Sequence, residues 1–448
     1  MTHSFKSRLT LFGYFAVINL VAPLVGLVAL PWLLVSRKRR KTLLPRLGLE
    51  QYPGSGTVAG AVGNRSFKPV WVHALSVGEL LSCVPLLREL RQALPPRPLV
   101  LSVSTLAAHE LATEQLTADV DALFYFPYDL LWPVRRCLQE LDPALFLLIE
   151  TDIWPGFLAA IRRRGVPCFL LNARLSPASF RVSRWFSALF RPAFATFDRI
   201  YPQSREESER FLELGIGAEK LQPPGNLKFD RFPPLPSPAA LSQARRDLGM
   251  NDRALILLAG STHPGEEALL RSAFLALRKD FPELRLVIVP RHPNRAEAVV
   301  QLFANDSVSV VRSSRPPPAK ADVVVVDRMG LLSSLYALAD VTFVGGSLVK
   351  KGGQNPIEPA AAGKPVLFGP DMSDFPEIAR WLLDKGGAIS VRTSDDLADH
   401  ARRLLANPSL ARAMGSKARS VVDEHQGCNR KIVADIVAFL ADEPRHLA

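Results

Sequence analysis

Several stretches of this 448-residue chain set acids, bases and hydroxyls where an apolar run gives way to a helical one. In "VWVHALSVGEL" (70–80) the apolar run ends at Ser76, and Glu79 follows three residues on. That spacing is a capping box, with Ser76 as the cap and Glu79 reaching back. The same two residues carry chemistry. Glu79, kept ionised by the helix dipole, can serve as a general base. Ser76, in a relaxed nucleophile elbow, can attack a carbonyl, although "HALS" does not supply the glycine-rich oxyanion loop. Spacing alone does not separate the three readings.

A second stretch, "GGSLVKKGGQNPIEPAAAGKPVLFGP" (345–370), sets two glycine pairs ahead of an Asn-Pro-Ile-Glu-Pro run. Asn355 can cap a helix, Pro356 suits the first helical position, and Glu358 stands where a capping carboxylate reaches back. The glycines at 345, 346, 352 and 353 clear side chains from the approach, so a ligand is expected to meet unpaired N–H groups there. A first-turn carboxylate can also accept two hydrogen bonds from a ribose diol. Cap and ligand seat both fit. "VPRHPNR" (289–295) offers Arg291, His292 and Arg295 as a phosphate clamp. "LLIETDIWP" (147–155) ends a run with Glu150 and Asp152, and "GNLKFD" (225–230) carries Lys228. The "DVD" at 119–121 precedes a strand instead of following one, so no metal is assigned to it.

These residues need elements to hold them. Strand candidates fall at 70–75, 98–104, 144–149, 167–172 and 199–203, then at 254–260, 285–290, 322–327, 341–346 and 365–369. Amphipathic helical stretches separate them, the pattern of parallel sheets wrapped by helices. A proline-rich segment at 223–242 interrupts the alternation and reads as an interdomain hinge. The domains expected are an anchor with a basic flank (1–40), an amino-terminal domain (41–225) and a carboxy-terminal domain (226–448). Open α/β sheets take ligands at the carboxyl ends of their strands, so the chemistry belongs in loops that directly follow strands.

The anchor is expected because no residue between Arg8 and Arg37 is charged. That length suffices to cross a bilayer, although Pro23 and Pro31 leave room for a segment that only dips into one leaflet. The "SRKRRK" that follows outweighs Lys6 and Arg8 and places the remainder on the cytoplasmic side. A net charge of +12 points to anionic partners. The four cysteines lie far apart, with neither a disulfide framework nor zinc spacing.

Taken in order, "SVGE", "IETDIWP", "NARLS", "GNLKFD", "GSTHPGEE", "PRHPNR", "DRMG", "FVGGSLV" and "GGQNPIEPAAAGKPVLFGP" resemble one family. It is the 3-deoxy-D-manno-octulosonic acid (Kdo) transferases of lipopolysaccharide assembly, and the resemblance runs from about residue 40 to 440. It implies an α/β, GT-B glycosyltransferase, two Rossmann-like domains with parallel sheets facing a central cleft, plus the anchor helix at the inner membrane. The donor implied is CMP-Kdo and the acceptor a lipid A precursor (lipid IVA), with anionic inner-membrane lipids as surroundings and no nucleic acid, cofactor or metal. Glu79 matches the family's general base in an inverting transfer, and Glu150 and Lys228 match residues that support the transition state. Arg291 and His292, then Met329, Gly330 and Leu331, and Asn355, Pro356, Ile357 and Glu358 match its CMP-binding segments. The chain departs from the pattern at "MGLL" (329–332), at Gln354 where histidine is usual, and at "SVSTLAAHELA" (102–112), which lacks a threonine-glycine turn. Another GT-B enzyme using a UDP-sugar, or an inactive membrane-tethered binder of sugar nucleotide or lipid, are the alternative readings.

Overall fold

The computed structural model describes residues 5–21, 23–24, 28, 37–53, 67–232, 236–251, 253–314 and 321–442. It divides into two compact units, Met1–Arg231 with Gln426–Ala448, and Phe232–His425. The first is built on a six-stranded sheet in which β1 (Val70–Ala74), β2 (Leu99–Val103), β3 (Ala122–Tyr125), β4 (Leu145–Ile149), β5 (Cys168–Ala173) and β6 (Arg199–Pro202) run parallel in the order β3-β2-β1-β4-β5-β6. The order reverses between β1 and β4. At such a switch point the helices leave on opposite faces and open a crevice at the strands' carboxyl ends. Strands β1, β2, β4 and β5 are buried throughout, as a sheet covered on both faces requires. One face packs Trp71 against Phe124, Phe126, Phe146 and Phe157. Each such fully buried aromatic contributes about 1.5–3 kcal/mol.

The second unit holds β7 (Leu255–Thr262), β8 (Leu284–Pro290), β9 (Val310–Arg312), β10 (Val323–Val325), β11 (Val341–Val344), β12 (Val366–Phe368) and β13 (Ala388–Ser390). All are parallel, in the order β13-β12-β11-β7-β8-β10-β9, so its switch point lies between β7 and β11. All ten strand candidates are strands, and β3 is the strand expected after "DVD"; β9 and β13 are additional, and each is a sheet edge.

The last helix, Cys428–Asp442, returns to the first unit, where it packs on the helix Val77–Ala93 and the 3-10 turn Leu227–Arg231 and sets Ile432, Val433 and Ile436 into the core. Asp230 accepts hydrogen bonds from Gly427 N (2.6 Å) and Asn429 N (2.7 Å), joining the segment that leaves the unit to the one that re-enters it.

The uncharged segment between Arg8 and Arg37 lies partly outside the described residues, at 22, 25–27 and 29–36. Its described start is a helix, Phe5–Ala16, continuing as one π-helical stretch, Val17–Val21, with Leu9, Phe12, Leu20 and Val21 exposed. The Phe5–Ala16 helix lies on the helices Ser187–Phe194 and Pro155–Arg163. Tyr14 Oη donates to Asp129 Oδ2 (2.5 Å), and Leu131 N donates to Asn19 Oδ1 (2.8 Å). No helix among the described residues is long and apolar enough to cross a membrane. The aspartates of "DVD" are engaged structurally, Asp121 by Leu99 N and Arg91, and Asp119 by Arg88.

Candidate active site and donor loops

At the first switch point the loop after β1 opens the helix Val77–Ala93. Ser76 is its N-cap, and Glu79 in the first turn reaches back to accept Leu75 N at 2.6 Å. The Ser76 hydroxyl donates to Glu79 Oε1 (3.3 Å). The cap therefore exists, and it holds a carboxylate in a cavity of about 690 Å³ lined also by Glu150 and Asp152 from the loop after β4. Burial, and after it the charge of Glu150, push Glu79 up to about 7, against the pull of the Leu75 N–H. A carboxylate poised there is half protonated near neutral pH, the range in which a general base is effective.

Glu150, just after β4, sits at φ 58°, and Asn172, near the end of the adjacent β5, at φ 55°. Asn172 Nδ2 donates to Glu150 Oε1 (3.4 Å), while its Oδ1 accepts Leu227 N (3.1 Å). That grip places the 3-10 turn Leu227–Arg231 so that Lys228 Nζ stands 3.5 Å from Glu150 Oε1. Glu79, Glu150 and Lys228 thus belong to one constellation in one unit. Asp152 accepts from Trp154 Nε1 (2.8 Å) and faces His73 Nε2 at 3.4 Å, the fully buried imidazole being held from behind by Ser102. The residues that position this set, Asn172 and His73, were not singled out by spacing, and their signal was only their place at the end of a strand.

In the second unit the donor candidates occupy loops after β8, β10 and β11. Arg291 and His292 follow β8 and are exposed, with Arg291 N on Thr262 O (3.0 Å). The His292 ring meets His263 edge-on at 6.4 Å, and His263 faces Gln354 at 3.3 Å. Burial, then His292 and Arg291, lower the His263 pKa and favour its neutral form. Asn355 Oδ1 accepts Ile357 N (3.0 Å), opening the short helix Ile357–Ala361 after Pro356. Glu358 accepts from Asn355 Nδ2 (3.3 Å) and from Ser333 Oγ (2.7 Å). The latter bond ties it to the Met329–Leu331 loop, where Met329 is 77% exposed and Gly330 has φ 83°. The donor candidates therefore form one linked set of loops.

One expectation fails. The glycine N–H groups ahead of Asn355 are not open to a ligand. Gly345 N donates to Gly260 O, Gly353 N to Gly346 O, and Gly352 N to Asp371 Oδ2. Gly346, Ser347 and Leu348 all donate to one buried carboxylate, Glu266, at 2.7–3.0 Å, and His263 N does too. The glycines serve close packing instead. A Cβ on Gly345 would stand 2.5 Å from Ser261 O.

Residues 42–231 match the family model described as 3-deoxy-D-manno-octulosonic-acid transferase (kdotransferase). A 3-deoxy-D-manno-octulosonic acid transferase of Haemophilus influenzae is 32% identical over 85% of this chain and 90% of its own length. One from Bordetella pertussis is 36% identical over 91% of this chain and 95% of its own. Among solved structures, the UDP-GlcNAc 2-epimerase of Neisseria meningitidis bound to UDP-GlcNAc superposes with a TM-score of 0.56 at 15% identity, over 80% of this chain and 99% of that one. Another UDP-N-acetylglucosamine 2-epimerase gives 0.57 at 14%, over 84% and 97%. At that identity the epimerases share the α/β fold of two parallel sheets and nothing further is drawn from them.

Proposed function

Since the chain belongs to the Kdo transferase family of glycosyltransferases, we propose that it moves Kdo from CMP-Kdo to a lipid A precursor, with inversion at the anomeric carbon. The observation that carries this reading is the single cavity in which Glu79, raised to about 7, stands with Glu150, itself paired to Lys228. In the proposed step an acceptor hydroxyl gives its proton to Glu79 as its oxygen bonds to the anomeric carbon. The bond from that carbon to the CMP phosphate oxygen breaks, and its electron pair leaves with the phosphate. Glu150 carries negative charge towards a carbon that becomes positive, and Lys228 balances the anions that develop. Such base assistance is typically worth about 10²- to 10⁴-fold.

Arg291 and His292 would meet the nucleotide phosphate, the Met329–Leu331 backbone the base, and the Asn355–Glu358 turn the ribose. GT-B architecture belongs to the proposal because the donor held on the carboxy-terminal unit must reach Glu79 on the other. So does an inner-membrane location with the catalytic units on the cytoplasmic side: a lipid acceptor stays in the bilayer, and exposed Leu9, Phe12 and Leu20 together with a basic flank suit anionic lipid. The test is mass spectrometry of the lipid formed from CMP-Kdo and lipid A precursor. A mass gain of one or more Kdo residues supports the reading, and an unchanged lipid with binding of UDP but not CMP sinks it.

A further inference from the structure

The cavity that holds Glu79 contains a cation that its acids do not use. Three carboxylates line it, and each already has partners: Glu79 has Leu75 N and Ser76, Glu150 has Lys228 and Asn172, and Asp152 has Trp154 and His73. Arg174, the first residue after β5, lines the same cavity and is half-buried. Its backbone is fixed, with Arg174 N donating to Thr151 Oγ1 at 2.9 Å and Arg174 O accepting from the same hydroxyl. Its guanidinium makes no ion pair or side-chain hydrogen bond among the described residues. A planar group with five donors, held at the wall of a partly desolvated site and left unpaired by three nearby acids, is suited to an anion brought by the ligand.

The walls beyond Arg174 say what else the ligand carries. Ser176 and Ser179 present hydroxyls 3.0 Å apart, and Val182, Phe190 and Phe194 supply apolar lining to the same cavity. Phe190 and Phe194 belong to the helix Ser187–Phe194, on which the amino-terminal helix Phe5–Ala16 lies. The cavity therefore combines carboxylates, an unpaired guanidinium and hydroxyls with apolar side chains from the helix that carries Phe5–Ala16. That combination of groups suits a phosphorylated amphiphile.

We infer that Arg174 is a specificity-determining residue that binds a phosphate of the glycolipid acceptor. This rests on the acceptor proposed above. The anion could instead be carried by the donor, as its sugar carboxylate or phosphate, and the test separates the two sources. Arg174→Ala and Arg174→Lys are compared with the unaltered chain on two acceptors, the phosphorylated acylated glucosamine disaccharide and the same lipid stripped of phosphate. Expected is a rise of about 10- to 100-fold in KM for the phosphorylated lipid in the alanine variant, the range of a charged hydrogen bond. The KM for the dephosphorylated lipid and for CMP-Kdo stays within about threefold, and lysine restores part of the loss, since it keeps the charge without the fork. Equal losses on both lipids, or a loss confined to CMP-Kdo, overturn the assignment. Equilibrium binding of both lipids in detergent micelles repeats the comparison without turnover. Failure of the proposed function appears as no transfer by the unaltered chain, whereas failure of this inference appears as an Arg174 variant indifferent to the phosphate.

Discussion

Replacing Glu79 by Gln should inactivate the protein and should also make it more stable, the gain in stability appearing only at a pH where the carboxylate is charged. In the folded chain Glu79 titrates at about 7 against an ordinary value of 4.5, with burial the main cause and Glu150 the next. Between those values the folded state holds a proton that the unfolded chain has released. Its contribution to stability is fully present below pH 4.5 and is lost as the pH rises through 7. Each pH unit of that gap is worth about 1.4 kcal/mol, so charging Glu79 costs the fold about 3 kcal/mol by pH 8. Gln removes the charge yet keeps an oxygen for Leu75 N, which donates to Glu79 at 2.6 Å. For a unit of this size that amounts to a rise of about 6–12 °C in its unfolding transition at pH 8. At pH 5 the two proteins should differ by less than about 1 kcal/mol. Calorimetry or fluorescence unfolding at the two pH values measures this. Turnover of the variant falls by about 10²- to 10⁴-fold. The unaltered enzyme loses rate about tenfold per pH unit below a midpoint near 7. Equal stability at pH 8, or a rate that holds its plateau down to pH 5.5, would refute the claim that burial has tuned this carboxylate into a base.

Ser76→Ala removes a hydroxyl bonded to Glu79, so the acid limb of the rate profile should move above 7 while transfer persists, and loss of the cap costs about 1 kcal/mol; abolished transfer with labelling of Ser76 by a phosphonate would instead mark a nucleophile. Glu266→Gln withdraws the charge that holds Gly346, Ser347 and Leu348, and should weaken CMP binding and destabilise the second unit by about 1.5–3 kcal/mol, read by titration and unfolding. Ile436→Ala should cost about 2–4 kcal/mol in the first unit's transition and nothing in the second's, because that side chain is fully buried in the first unit's core, on a helix that packs against Val77–Ala93. An effect on the second transition alone would refute that docking.

The ten strand candidates, the cap at Ser76, a helix start just after Asn355 and Pro356, and the acids and bases in loops after strands were legible because their causes are local. An apolar run of strand length, a hydroxyl ahead of a helix and a proline at a first turn each act within a few residues. The edge strands β9 and β13 were not. An edge strand is covered on fewer sides and these two are three residues long, so they need no extended apolar run: all of β9, and Ile389 and Ser390 in β13, are only partly buried. Tertiary packing alone decided the rest. It brought Glu266, some 80 positions away in sequence, onto the N–H groups of Gly346 and Ser347, and Asp371 onto that of Gly352. It sent the last helix back across the boundary to complete the first core, and set Asn172 between Glu150 and the Lys228 turn. It also moved a glutamate from 4.5 to about 7. The common reason is that hydrogen-bond partners and burial are properties of neighbours in space, and where a chain folds back on itself those neighbours are not written beside each other.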